Sequence, residues 1–167
     1  MPEGKAIGMA ASRDDWKRVP FDGGLPIPYR ATFSAAELER IRDGLVPEAM
    51  EDKWFVYCEE PHLYFHQSWT GQPVYRVRLE RSGDGAEVAE ALCVAGPIAD
   101  SGAEHQARLL DFLVSNLLLG MAKPFPLAAH ARTRDAALWQ HVFSGTGYPY
   151  VRSPTQPVRR HWWQIWR

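Results

Sequence analysis

The chain predicts an α+β fold: an antiparallel β-meander of three to four strands packed against a long core helix, with a short preceding helix and a helical or irregular C-terminal extension. Three observations lead there. Two stretches, 34–44 and 101–120, share one helix grammar, a Ser three residues before a Glu and a Gly at the far end. Between them the hydrophobic period drops from 3.6 to 2, and β-branched and aromatic residues dominate. The second helical stretch keeps Glu104, Arg108, Asp111 and Ser115 on one narrow polar stripe, which frees the rest of its surface for burial.

In chain order, residues 1–14 hold little that could be buried and are expected to be mobile. "WKRVPFDGGLPIPYRATF" mixes prolines and glycines with aromatics, and reads as an ordered loop anchored by Trp16, Phe21 and Tyr29. Ser34 and Glu37 form the first capping box, Phe33 and Leu38 the staple, and Gly44 the stop. A helix over 35–43 follows, with Leu38 and Ile41 facing inward. "KWFVYCEE", "LYFHQSWT" and "PVYRVRLE" read as three strands of a meander. "EVAEALCV" suits a fourth strand or a helix. The helix over 103–119 is the expected core element, boxed by Ser101 and Glu104 and stopped by Gly120. A third helix is expected from about Thr133 to Gly145. The domain reading is therefore 15–124 as the α+β body and 125–167 as an extension packed on it.

Composition narrows the function classes. With 167 residues, 46% of them hydrophobic, the chain can bury a core without disulfides or a structural metal. A net charge of −1 argues against a general nucleic-acid binder. The longest apolar run, "LLDFLVSNLLLG", is broken by Asp111, Ser115 and Asn116, so no membrane span is expected. Without a secretory apolar segment, and with Cys58 and Cys93 as two reduced thiols, the expected location is cytoplasmic.

Alternation across the strands decides which side chains meet. Tyr75, Val77 and Leu79 face the core, as do Leu63, Phe65 and Trp69. Arg76 and Arg78, with Tyr64, His66 and Ser68, then share the opposite surface. A loop over Thr70–Gln72 pairs His66 with Arg76, Tyr64 with Arg78 and Ser68 with Val74. The hairpin at Pro61 sets Phe55 beside His66 and Tyr57 beside Tyr64. One exposed surface thus collects Lys53, Phe55, Tyr57, Tyr64, His66, Ser68, Arg76 and Arg78. Rings that stack, ringed by guanidinium groups, suit a planar anionic small molecule. Such residues also occur on ordinary wetted sheet faces, where they stabilise strand pairing without a ligand.

Glu51 and Asp52 precede the first strand, and with His66 they form a candidate acid–base set for a hydrolase. They serve equally well as strand caps or as partners of the arginines. Cys58 and His66 fall on opposite faces in this register, so no zinc site and no cofactor is expected. The C-terminal "HWWQIWR" offers two readings. It is a tail covering the body, or a docking segment for a protein partner through Trp162, Trp163 and Trp166.

"MEDKWFVY" and "LYFHQSWTG", preceded by "DGLVPEAM", resemble the motif of an uncharacterised family of small bacterial proteins. That family carries Met-Glu-Asp-Lys-Trp-Phe followed by Leu-Tyr-Phe-His-Arg-Ser-Trp-Thr-Gly, and the likeness spans about residues 33–120. Its association with ADP-ribose-binding macro domains implies nucleotide or ADP-ribose chemistry. Gln67 departs from it, standing where the family has arginine. The expected function is a small binding or accessory module for an anionic, nucleotide-like ligand. A hydrolase of ADP-ribose-type substrates and a protein-interaction or immunity-type protein are the alternatives.

Overall fold

Ser34 opens the first helix as its spacing requires. Its Oγ accepts from the Glu37 amide at 3.2 Å, and Glu37 Oε1 accepts from the Ser34 amide at 3.1 Å. Donors that a helix start leaves over are thereby satisfied. The structure, a computed structural model, describes residues 9–49 and 51–127 together with the backbone of 150–152. Strands β1 (Leu25–Pro26) and β2 (Thr32–Phe33) precede helix α1 (Ala35–Asp43). Leu38 and Ile41 are its buried residues, and Gly44 ends it at φ 65°. A Cβ at Gly44 would also run into the Val56 carbonyl, so two constraints demand glycine there.

The meander follows as β3 (Trp54–Glu59), β4 (His62–Gln67), β5 (Pro73–Ser82) and β6 (Gly85–Cys93). The sheet runs in the order β1-β6-β5-β4-β3, every pairing antiparallel, and β2 pairs the other end of β6. Of residues 87–94, which suited strand or helix locally, all but Val94 belong to the strand, and Val94 caps the helix that follows. Pairing with β5 over eight positions, from Tyr75↔Cys93 to Ser82↔Gly85, supplies the partner that alanines and glutamates alone do not specify. The Glu60–Pro61 peptide in the first hairpin is cis.

Helix α2 (Ala95–Ser101) leads into α3 (Ala103–Phe112), which continues as π-helical turns over Leu113–Leu118. The long core α-helix expected over 103–119 is therefore a composite 16 residues long, ten α and six π. In its π part Asn116 is clamped to the following segment. Its Nδ2 donates to the Lys123 carbonyl and its Oδ1 accepts from the Lys123 amide, both at 2.9 Å. The expected Ser101–Glu104 box does not form. Ser101 ends α2, donates to the Pro97 carbonyl at 3.2 Å, and Gly102 stands at the start of α3 without a side-chain cap. The polar stripe is wet only at its beginning. Asp111, Ser115 and Asn116 are buried, and Lys123 Nζ sits 3.0 Å from Asp111 Oδ2.

The main core fills the inner face of the sheet. Trp54, Val56, Leu63, Phe65, Tyr75 and Val77 pack with Leu110, Phe112 and Leu113 of the composite helix. Gln106 ties the two layers together. Its Oε1 accepts from the Tyr75 hydroxyl at 2.6 Å, and its Nε2 donates to Ser101 Oγ at 2.7 Å. Burial pushes the Cys93 thiol up to about 12 and the Cys58 thiol up to about 11, so both stay protonated at neutral pH.

Residues 9–14, part of the stretch expected to be mobile, lie among the described residues. There Ala11 is buried and its amide donates to the Asp43 carbonyl at 2.8 Å. Beyond Pro124, β7 (Phe125–Leu127) pairs in parallel with β8 (Tyr150–Arg152). The helix expected over 133–145 and the tryptophans Trp162, Trp163 and Trp166 lie outside the described residues. Among the described residues no helix is long and apolar enough to cross a membrane.

Candidate functional site: the outer face of the meander

The first hairpin pairs Phe55 with His66 and Tyr57 with Tyr64, so these four rings share one face, opposite the helices. Their contacts are close. Tyr57 stacks on Tyr64 with centroids 5.0 Å apart and on His66 at 5.7 Å. The second hairpin differs from the expected register by two residues. Tyr64 is opposite Arg76, His62 is opposite Arg78, and His66 is opposite Pro73 across an irregularity at Phe65/His66. A shift of two preserves the face of every side chain, so the arginines still point outward. The cause is the loop, which spans Ser68–Gln72 rather than Thr70–Gln72. Within it Gly71 has φ 73°, and its amide donates to the Gln67 carbonyl at 2.8 Å. Trp69, expected in the core, belongs to this loop and is 57% exposed, with Lys53 Nζ 4.3 Å from its ring centre.

The open aromatic floor expected on this face is covered. Phe55 and His66 have 0% exposure, Tyr57 3% and Ser68 1%. The cover is the N-terminal segment 11–19, a strap that sequence reading placed partly in the mobile end. Ala11 clusters with Phe55 and Tyr57, and Trp16 packs against that cluster, as do Val46 and Tyr64. The Arg18 guanidinium lies 5.9 Å from the Tyr57 ring centre. Trp16 Nε1 donates to the Ser68 carbonyl, and the Val19 amide to the Gly71 carbonyl, both at 2.7 Å. Phe55, Tyr57, His66 and Ser68 are thus a second, smaller core. Apolar ring area on both sides of a sheet end is most stable when both sides are capped. Trp16 was the one legible signal of this cover, as a large aromatic in an otherwise polar stretch.

The expected acid–base set is not assembled for reaction. His66 Nδ1 lies 3.1 Å from the Gly71 carbonyl, which only accepts, so the ring donates there. Burial lowers the His66 pKa, the Gly71 bond opposing it and the Arg18 charge adding to it. Asp52 Oδ2 accepts from the amides of Glu48 and Ala49, at 2.9 and 3.1 Å, and so holds the turn before β3. Ser68 Oγ donates to the Asp52 carbonyl at 2.6 Å. Glu51 is exposed.

What remains reachable on the outer face is a strip of four half-buried side chains, His62, Tyr64, Arg76 and Arg78. The Arg76 guanidinium lies 5.2 Å from the Phe21 ring centre, and Glu90 Oε1 lies 3.8 Å from its Nη2. Arg78 Nη1 meets Glu80 at 2.7 Å. Burial lowers the His62 pKa, and the charges of Arg76 and Arg78 lower it further against the pull of Glu90. His62, which lies between the stretches that read as strands, opens β4.

Two clefts lie elsewhere. One of about 370 Å³ is bordered by Arg42, Glu60, Arg81 and Asp84, with Arg42 paired to Glu60. Another of about 420 Å³ lies between Val19, Asp22, Gln72 and Pro97. Among the described residues no three His, Cys, Asp or Glu side chains are grouped to hold a metal ion. Compared with protein-family models, with curated proteins and with solved structures, the chain matches none. The resemblance to a small bacterial family therefore rests on its motif residues alone.

Proposed function

We propose that the protein is a small binding or accessory module that takes an anionic, nucleotide-like ligand on the half-exposed strip of the outer sheet face. The supporting observation is the pairing register, which makes two neighbouring rungs of one ring and one guanidinium each: Tyr64 with Arg76, and His62 with Arg78. An anionic group set between two guanidinium groups gains charge-assisted hydrogen bonds, while Tyr64 and Phe21 offer apolar edges to a planar group. Glu80 and Glu90 are the native counter-charges, and a ligand phosphate competes with them for the arginines. The motif resemblance extends the ligand class to ADP-ribose-type molecules. The geometry gives the hydrolase reading no support, because His66 is enclosed and Asp52 is occupied by backbone amides.

Calorimetric titration with ADP-ribose, AMP and inorganic phosphate at low ionic strength tests the reading. We expect ADP-ribose or AMP to bind, and the variant R76M/R78M to lose that binding while Tm moves by no more than about 3 °C. Silence from all three probes, or undiminished binding by the double variant, rules this surface out.

A further inference from the structure

One carbonyl joins the strap to the buried histidine. Gly71 O accepts from the Val19 amide of the strap at 2.7 Å and from His66 Nδ1 at 3.1 Å. Because Nδ1 must carry its hydrogen to make that bond, Nε2 of the neutral ring is a bare acceptor. It is fully buried and has no hydrogen-bond partner among the described residues. The fit around this junction is tight. A Cβ on Gly71 would lie 3.1 Å from both Arg18 Cα and the Lys17 carbonyl, at a backbone φ of 73° that disfavours side chains.

The geometry points to a proton-operated latch: neutral His66 holds the strap closed over the aromatic floor, and a proton on Nε2 releases it. A second ring hydrogen would be a buried donor with nothing to accept it, in a charged ring sealed from water. Of the groups facing the ring, only the Gly71 carbonyl favours the added proton, and the others do not. Arg18 of the strap adds positive charge. Tyr57 of β3 and Tyr64 of β4 are neutral rings at 5.7 and 6.5 Å, and Phe55 is apolar at 6.3 Å. Among the described residues no carboxylate acts on His66 to reward its protonation. The cheapest relief is departure of the strap, which sends Arg18 into solvent and opens Nε2 to water. The strap is suited to leave because few bonds hold it among the described residues: those of Trp16 and Val19 to the loop, that of Ala11 to Asp43, and an exposed Arg13–Glu59 pair at 3.4 Å. Release would uncover Phe55 and Tyr57 beside the strip of His62, Tyr64, Arg76 and Arg78. The latch itself stands whether or not that strip binds a ligand.

The sign is fixed by the direction of the shift. His66 titrates below the ordinary 6.5 in the closed form, so closure is favoured most above that value and weakens as pH falls beneath it. Amide exchange and two-dimensional NMR on the full chain read this directly. Between about pH 7.5 and about pH 5.5, the Val19 amide and the Trp16 indole N–H should lose about tenfold or more protection after correction for intrinsic exchange, while β5–β6 amides hold. H66N keeps a side-chain donor without the titration, and its strap protection should be flat over the same range. Should H66N fail to fold, the wild-type His66 ring titration must share its midpoint with the strap signals. G71A, which wedges the strap from the other side, should show the open signals already at about pH 7.5. A strap whose protection ignores pH in the wild type, or falls equally in H66N, or moves at a different midpoint from His66, overturns the latch.

Discussion

The two faces of the sheet are both buried at the β3–β4 end, yet they are closed by different means. The inner face meets a 16-residue composite helix whose contacts are apolar and whose tie, Gln106, is uncharged. The outer face meets a strap without regular secondary structure, joined through a few backbone carbonyls and a histidine. Equal burial therefore conceals unequal strength. A helix satisfies its own backbone and brings many side chains at once, whereas a strap must find a partner for each amide separately.

Deleting a ring on each side tests that contrast most strongly. Phe65→Ala on the inner face, where the ring meets Trp54 and Tyr75 edge-on, is expected to cost about 3–5 kcal/mol in urea unfolding. Phe55→Ala, just as buried, should lie at or below the low end of that range because the strap can settle into the cavity. Equal losses would erase the distinction. Next in size, Gln106→Ala should cost about 1–3 kcal/mol, since the Tyr75 hydroxyl is left buried without its acceptor. Cys93 shares that acceptor at 3.8 Å and adds little.

Acid should act on the outer face through two histidines. His62 and His66 are both shifted down chiefly by burial, so the neutral rings favour the folded state. Their contribution is complete above about pH 6.5 and is lost as pH falls through the window beneath it. Tm measured at about pH 7.5 and about pH 5.5 should drop for the wild type and drop less for H66N. Smallest of all, a double-mutant cycle on Arg78 and Glu80 should return about 0–1 kcal/mol, the scale of an exposed pair. A larger coupling would mean this pair is shielded from solvent.

Much of the architecture could be read residue by residue. Ser34, Glu37 and Gly44 wrote α1 locally, since a cap and a stop act within one turn. The alternation in "WFVY", "LYFH" and "VYRVRL" put Phe55, Tyr57, Tyr64 and His66 on one face and Trp54, Val56 and Phe65 on the other. Ser101 misled, because a hydroxyl that can cap a following helix can also bond back to a carbonyl four residues earlier. Trp69 misled for a related reason: strand alternation was carried into a loop that had already left the strand.

The candidate site was legible in its members and not in its accessibility. Side-chain direction follows from backbone alternation, a property of neighbours in sequence, so the sequence by itself determined which rings and cations share a face. Whether that face meets water depends on a segment some fifty residues away, as in the bond from Trp16 to Ser68. Only the tertiary structure could decide that, because a polar strap pays for its ordering through a handful of amide bonds that no local pattern announces. The same distance separates Val19 from His66, and so the one carbonyl they share lies beyond any reading of the chain in order.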